Sequence, residues 1–172
     1  MEEIILVDEK DNEVGFGEKI KMHENGGKLH RAFSIFIQNS DGQMLIQQRA
    51  KTKYHFGSLW TNTCCSHPNK GESLEHAVHR RLVEEFGFDT DVKELLSFVY
   101  KAYDPKSKLT EHEFDHVFIG TFDGEPNPNP EEIGDFEWID PEVLQEDVKN
   151  HPERYTPWFK IVLDRVIDHI TT

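Results

Sequence analysis

At 172 residues the chain has the length of one ordinary domain, enough to bury a core without disulfide or metal staples. Its net charge of −14 is spread along the whole length, so its field repels nucleic acid and anionic membranes and neither is expected as a partner. No window nears the roughly 18 apolar residues of a membrane span, and the opening MEEIILVDEK lacks the basic flank and apolar stretch of a secretion signal, which predicts a cytoplasmic address.

In chain order, residues 3–7 and 31–37 read as strands. The second runs through Asn39-Ser40-Asp41-Gly42 into a strand at 44–46, a hairpin signal of turn formers between two apolar runs. Between 72 and 87 the apolar residues Leu74, Ala77, Val78, Leu82 and Phe86 recur at three- and four-residue steps, which predicts an amphipathic helix ended by Gly87. Residues 95–103, 114–122 and 136–139 are further strand candidates. Helices are predicted over 141–149, with Pro141 in the first turn, and over 157–170. Strands outnumber helices and helices separate some of them. The expected class is α/β (α+β), one domain over 1–172 with a mixed sheet sandwiched between helices.

The two cysteines, Cys64 and Cys65, are neighbours. On an extended chain their side chains point to opposite faces, which suits a mutual disulfide poorly, so both are read as reduced thiols.

The stretch 66–88, SHPNKGESLEHAVHRRLVEEFGF, resembles the Nudix box. Glu72, Arg80, Leu82, Glu84, Glu85, Gly87 and Phe88 match its pattern, whereas Ser66 replaces the opening Gly and Arg81 replaces a Glu. Carboxylates on one helix can hold Mg²⁺ while its remaining positions accept phosphate oxygens. From spacing alone, Arg80 with Glu84 and Arg81 with Glu85 equally decorate a solvated helix face. Arg81 lowers the carboxylate count, which argues against multi-metal hydrolysis, and offers a fork for diphosphate oxygens.

Directly upstream, WTNTCCSHP at 60–68 is similar to the catalytic-cysteine motif of type 1 isopentenyl diphosphate isomerases, which also place it before a degenerate Nudix box. By packing alone Cys65 reads as a small buried hydrophobe. The resemblance makes it an acid/base thiol and leaves Cys64 structural. It further implies a Nudix fold and a metal site of three His and two Glu, matched here by His23, His30, His67, Glu111 and Glu113. Glu111 and Glu113, two apart on a strand, share a face. The other seven histidines, His55 among them, are read as solvent-facing or satisfied. Such a donor set accommodates Zn²⁺, Mn²⁺ or Mg²⁺.

The activity implied by the resemblance is the interconversion of isopentenyl and dimethylallyl diphosphate, for isoprenoid precursors, by an antarafacial 1,3-proton shift through a tertiary carbocation. Cys65 and metal-bound Glu113 are then the two acid/base groups, with Tyr100 assisting Glu113. Trp158 matches a family tryptophan whose ring face stabilises positive charge and excludes water, although its spacing also fits a core aromatic; Trp60 is a further candidate for the pocket wall. Lys19, Arg49, Lys53 and Arg81 match the family's diphosphate-binding cations, and a Mg²⁺ is expected to bridge the diphosphate to Glu85 and the main-chain carbonyl of Cys65. The expected partner is a small-molecule prenyl diphosphate, bound by a monomer or weak homodimer. The resemblance runs from Lys19 to Trp158. Two rivals share the helix: a Nudix hydrolase of a nucleoside or prenyl diphosphate, for which the cysteine motif has no use, and a non-catalytic metal or diphosphate-binding module, which leaves Cys65 and Glu113 without a role.

Overall fold

The computed structural model describes residues 2–171. In chain order the strands are β1 (Glu3–Val7), β2 (Glu13–Glu18), β3 (His30–Gln38), β4 (Met44–Arg49), β5 (Trp60–Thr61), β6 (Cys64–Ser66), β7 (Val92–Asp104), β8 (Leu109–Thr121) and β9 (Ile133–Ile139). The helices are α1 (Leu74–Phe86), between β6 and β7, then α2 (Pro141–Asn150) and α3 (Pro157–Thr171).

The nine strands form one mixed sheet organised around β3. Along one edge β3 runs parallel to β8 over its full length, from His30 opposite Glu113 to Gln38 opposite Thr121. Its other edge is shared: β1 touches its start, β6 pairs antiparallel with its middle and β4 with its end. The long β7–β8 hairpin and the β4–β9 pair extend the sheet on either side.

The two-residue period of β3 divides the core. Phe33, Ile35 and Ile37 face α1 and join Cys64, Val78, Leu82 and Phe86 in one buried cluster. Phe36 faces the other way and stacks on Phe159 of α3, in a second cluster with Met44, Val117, Val162 and Val166. His30 and Ser34 share the side of Phe36. There the apolar cover stops and the polar site begins.

All the strands and helices expected from the sequence are present, with shifted ends. Helix α1 begins two residues later than expected because Ser73 caps it, its hydroxyl accepting from His76 N at 3.1 Å, and Gly87 closes it at φ 69°. Glu72 therefore precedes the helix and takes a fork from Arg80 at 2.7 and 2.8 Å. Strand β8 starts at Leu109 rather than 114, since its first half carries Thr110, Glu111 and Glu113 in place of an apolar run. β2 was not anticipated: its segment EVGFGE holds two glycines and lies on an exposed edge. β5 and β6, of two and three residues, are too short to show any period.

One glycine has a direct bearing on the site. Gly27 sits at φ 71°, and a Cβ there would meet the carbonyl oxygen of Thr110 at 2.8 Å. Its lack of a side chain lets the loop between His23 and His30 press onto β8 beside Glu111. Among the described residues no helix is long and apolar enough to cross a membrane.

Candidate active site and metal centre

Strand pairing around β3 assembles the site. Cys65 on β6 stands opposite Ser34 on one edge of β3, and Glu113 on β8 stands opposite His30 on the other. Cys64 and Cys65 diverge as expected: Cys64 is buried under α1, and the half-buried Cys65 faces the polar side. Lys19 follows β2, Arg49 ends β4, Lys53 belongs to the loop after it, Arg81 projects from α1, and Trp158 is the second residue of α3. These five line one cavity together with Cys65, His67, Tyr100, Glu111 and Glu113. Trp60 is not part of its wall and packs at the margin of the α3 cluster. A second, apolar cavity between Val92, Ile119 and Val166 receives none of the expected site residues.

Behind the cavity wall lies a cluster of buried ligand-type atoms. His23, which ends the 3-10 turn Lys21–His23, and His30 are fully buried. His23 Nδ1 donates to the Lys19 carbonyl at 2.6 Å and His30 Nδ1 to the Lys28 carbonyl at 2.8 Å, which leaves both Nε2 lone pairs aimed inward. His30 Nε2 lies 3.2 Å from Glu113 Oε2 and 3.6 Å from Glu111 Oε2. His23 Nε2 is 2.8 Å from Glu111 Oε1 without the alignment of a hydrogen bond.

Two overlapping groups, His30 with Glu111 and Glu113, and His23 with His55 and Glu111, each bring three such atoms within 4.8 Å of one another. His67 belongs to neither; its ring centre stands 6.2 Å from that of His30. His55 is the residue that sequence reasoning missed. Its ring is buried and satisfied by Glu111, one of the two states expected for it, but no spacing rule connects a loop histidine to a carboxylate 56 residues away.

The residues present fit a divalent cation. His23 Nε2, His67 Nδ1 and Glu111 Oε2 are buried without a hydrogen-bond partner, an arrangement that costs stability unless something else coordinates them. Burial pushes His30 down to about 4, drives His67 well below the usual imidazole range and lowers His55, so these rings are neutral near pH 7. His23 is the exception: burial opposes its charge, yet the Glu111 carboxylate lifts it.

The carboxylates split. Burial opposes ionisation of Glu111, but the imidazoles of His55 and His23 outweigh it and hold the group well below its ordinary value. Burial and the neighbouring Glu111 push Glu113 well up. The Tyr100 hydroxyl donates to Glu113 Oε1. Burial raises the Cys65 thiol to about 11 against the opposing pull of Arg49, whose Nη1 lies 3.7 Å from the sulfur. Burial thus disfavours the charged form of both groups that face the cavity from opposite edges of β3.

The cations are close to acids of their own. Lys53 pairs with Glu132 at 2.5 Å and Lys19 with Glu2 at 3.3 Å. Arg81 meets Glu84 at 2.7 Å, Glu85 at 2.9 Å and Glu132 at 3.2 Å. Glu85 is buried and also accepts from Gln47 Nε2 at 2.9 Å and from the Cys64 thiol at 3.2 Å. Arg81 therefore serves as counter-charge to Glu84 and Glu85 of its own helix and to Glu132. Trp158 is buried, its indole NH has no partner, and its ring lies 5.5 Å from the Arg49 guanidinium and 6.0 Å from the Tyr100 ring.

Comparison with known proteins identifies the family of the chain. The NUDIX domain family model matches residues 28–159. A protein of Photorhabdus laumondii named isopentenyl-diphosphate Delta-isomerase 2 is 50% identical over 165 residues, covering 95% of this chain and 92% of that one. An isopentenyl-diphosphate Delta-isomerase of Halorhodospira halophila is 47% identical over 161 residues, covering 93% and 92%. Among solved structures, a protein of Deinococcus radiodurans superposes with a TM-score of 0.79 at 25% identity, covering 95% of this chain and 98% of its own. A MutT protein of Methanosarcina mazei does so at 0.68 and 18% identity, covering 84% and 96%, which speaks for the fold alone. By sequence the chain belongs to the isopentenyl-diphosphate Delta-isomerase family, and it is built on a NUDIX domain.

Proposed function

We infer that this chain interconverts isopentenyl diphosphate and dimethylallyl diphosphate. The observation that carries the reading is the opposition of Cys65 and Glu113, which approach one cavity from the two edges of β3. Adding a proton to the terminal alkene carbon generates a tertiary cation at the branched carbon. Removing a proton from the carbon nearer the diphosphate on the opposite face re-forms the double bond in its allylic position. One group donates and the other accepts, and the reverse reaction exchanges their roles.

Tyr100 holds the Glu113 carboxyl in place and shares its proton. The Trp158 ring, with Tyr100 and Phe56 around it, offers a π face to the developing cation and excludes the water that would trap it as an alcohol. Lys19, Arg49, Lys53 and Arg81 present positive charge to a diphosphate in an otherwise acidic protein. A divalent cation (Zn²⁺, Mn²⁺ or Mg²⁺) at His23, His30, His67, Glu111 and Glu113 would lower the proton affinity of Glu113, and Mg²⁺ arriving with the substrate would screen the diphosphate beside Glu85. Both buried clusters pack on one sheet, which supports reading residues 1–172 as a single domain.

The test is proton NMR of the purified protein with isopentenyl diphosphate, Mg²⁺ and a trace of Zn²⁺ or Mn²⁺ in heavy water. Formation of dimethylallyl diphosphate carrying deuterium in its methyl group is expected. Unchanged alkene signals with released phosphate would overturn the reading in favour of hydrolysis.

A further inference from the structure

Arg49, His55 and Glu111 form a buried chain that the proton transfer above does not use. The guanidinium of Arg49 donates from Nε to the Phe56 carbonyl at 3.1 Å and from Nη2 to the His55 carbonyl at 3.1 Å. Nη2 also lies 3.2 Å from His55 Nδ1. A guanidinium has donors and no acceptor, so His55 Nδ1 can only be accepting. The proton of a neutral His55 ring is then on Nε2, the atom that faces Glu111 Oε1 within hydrogen-bond reach.

His23 and His30 are wired the opposite way. Their Nδ1 atoms donate to backbone carbonyls, so in the neutral, metal-binding form of each ring the lone pair is on Nε2. Three imidazoles thus crowd Glu111, but only two can act as ligands through the nitrogen that faces it. The third presents an N–H. The backbone reinforces this placement: Phe56 sits at φ 49°, a left-handed conformation unfavourable for a bulky residue, and is held there by Arg49 and by Asp104 Oδ2, which accepts from Phe56 N at 2.9 Å.

We propose that His55 is a positioning residue, its tautomer fixed by Arg49, that donates from Nε2 to Glu111 and aims that carboxylate at the metal without itself becoming a ligand. The inference rests on the metal-site reading given above. Of the five N–H bonds of Arg49, three serve this loop and one is directed at the Cys65 sulfur. The same guanidinium therefore touches the thiol on one edge of β3 and orients a metal carboxylate on the other, leaving one N–H for a diphosphate.

The experiment compares wild type, His55→Ala and His55→Gln, each loaded with Zn²⁺, by X-ray absorption at the zinc edge and by competition with a fluorescent chelator. Glutamine places its amide nitrogen near the Nε2 position and can donate to Glu111, and its similar size keeps the comparison alive if the alanine variant does not fold. The expected result is an unchanged number of imidazole ligands in all three proteins, with Zn²⁺ affinity about 10–100-fold weaker in His55→Ala and largely recovered in His55→Gln. Loss of one imidazole from the metal shell in either variant would make His55 a ligand and overturn the proposal. Unchanged affinity in His55→Ala would overturn it as well. A wild-type protein that binds Zn²⁺ through no imidazole would strike down the metal site itself, an outcome distinct from failure in the variants alone.

Discussion

Tyr100 and Glu113 stand opposite one another across the β7–β8 ladder, and the Tyr100 hydroxyl donates to the Glu113 carboxyl. Burial and the neighbouring Glu113 carboxyl push the phenol well above its ordinary range, which favours the hydroxyl as a donor. Tyr100→Phe deletes that donor without opening space. Its kcat is expected to fall at least about tenfold, roughly 1.4 kcal/mol of transition-state stabilisation, with bound metal and KM little changed. Steady-state kinetics with metal analysis checks this, and a phenylalanine variant with wild-type kcat would leave the hydroxyl without a role.

The two thiols differ in access and in proton affinity. Burial, with Glu85 beside it, drives Cys64 well above its ordinary value, whereas Cys65 reaches about 11 and is only half-buried. Alkylation by iodoacetamide is therefore expected at Cys65 first, with a rate that climbs toward a midpoint near 11 instead of the ordinary 9. Peptide mapping by mass spectrometry across this pH range decides it. Cys65→Ala is expected to lose about 10²–10⁴ of turnover. Full activity in that variant would sink the proton-transfer role.

Arg81 binds through a fork, reaching Glu84 and Glu85 from different nitrogens. Arg81→Lys keeps the charge but loses the two-point geometry. KM for the diphosphate is expected to rise about tenfold with a smaller change in kcat, the signature of lost ground-state binding. Should KM stay unchanged, Arg81 would be a structural counter-charge for Glu85 and nothing more.

Most of the site was legible because its residues fall in short, chemically unusual strings: WTNTCC with SHP, EHE, and the helix that follows. The sheet was legible where strands bury one face, as in β3. What escaped lies where sequence neighbours do not predict spatial ones. His55 acquires its position from a left-handed Phe56 and from Arg49, neither of which has a periodic signature. The first half of β8 escaped for a related reason. Its inward residues are polar because they face the site, so the hydrophobic alternation that marks a strand is absent exactly where function is greatest.

Removing the metal leaves His23 Nε2, His67 Nδ1 and Glu111 Oε2 buried and unpartnered. Chelation is expected to abolish turnover and lower the thermal midpoint, and Zn²⁺ at a hundred times its dissociation constant is expected to restore about 2.7 kcal/mol of stability. Calorimetry with and without chelator measures the shift. Identical melting curves would mean that the cluster is held by protein contacts alone.

Asp115 provides a prediction about pH. It is buried two residues beyond Glu113, its Oδ2 accepts from Ser34 Oγ at 2.8 Å, and its Oδ1 has no partner. Burial raises the carboxyl to about 8, against 3.8 as an ordinary side chain. The folded chain thus keeps this proton over a range in which the unfolded chain releases it. A raised folded value contributes stability that is fully present below 3.8 and is lost as pH climbs through 8. Asp115→Asn is neutral throughout and still accepts from Ser34, so it escapes that loss. In chelated protein, the asparagine variant is expected to decline less between pH 4 and 8 and to melt above wild type by pH 8. Parallel melting profiles for the two proteins would show that Asp115 ionises normally and that its burial carries no pH-dependent penalty.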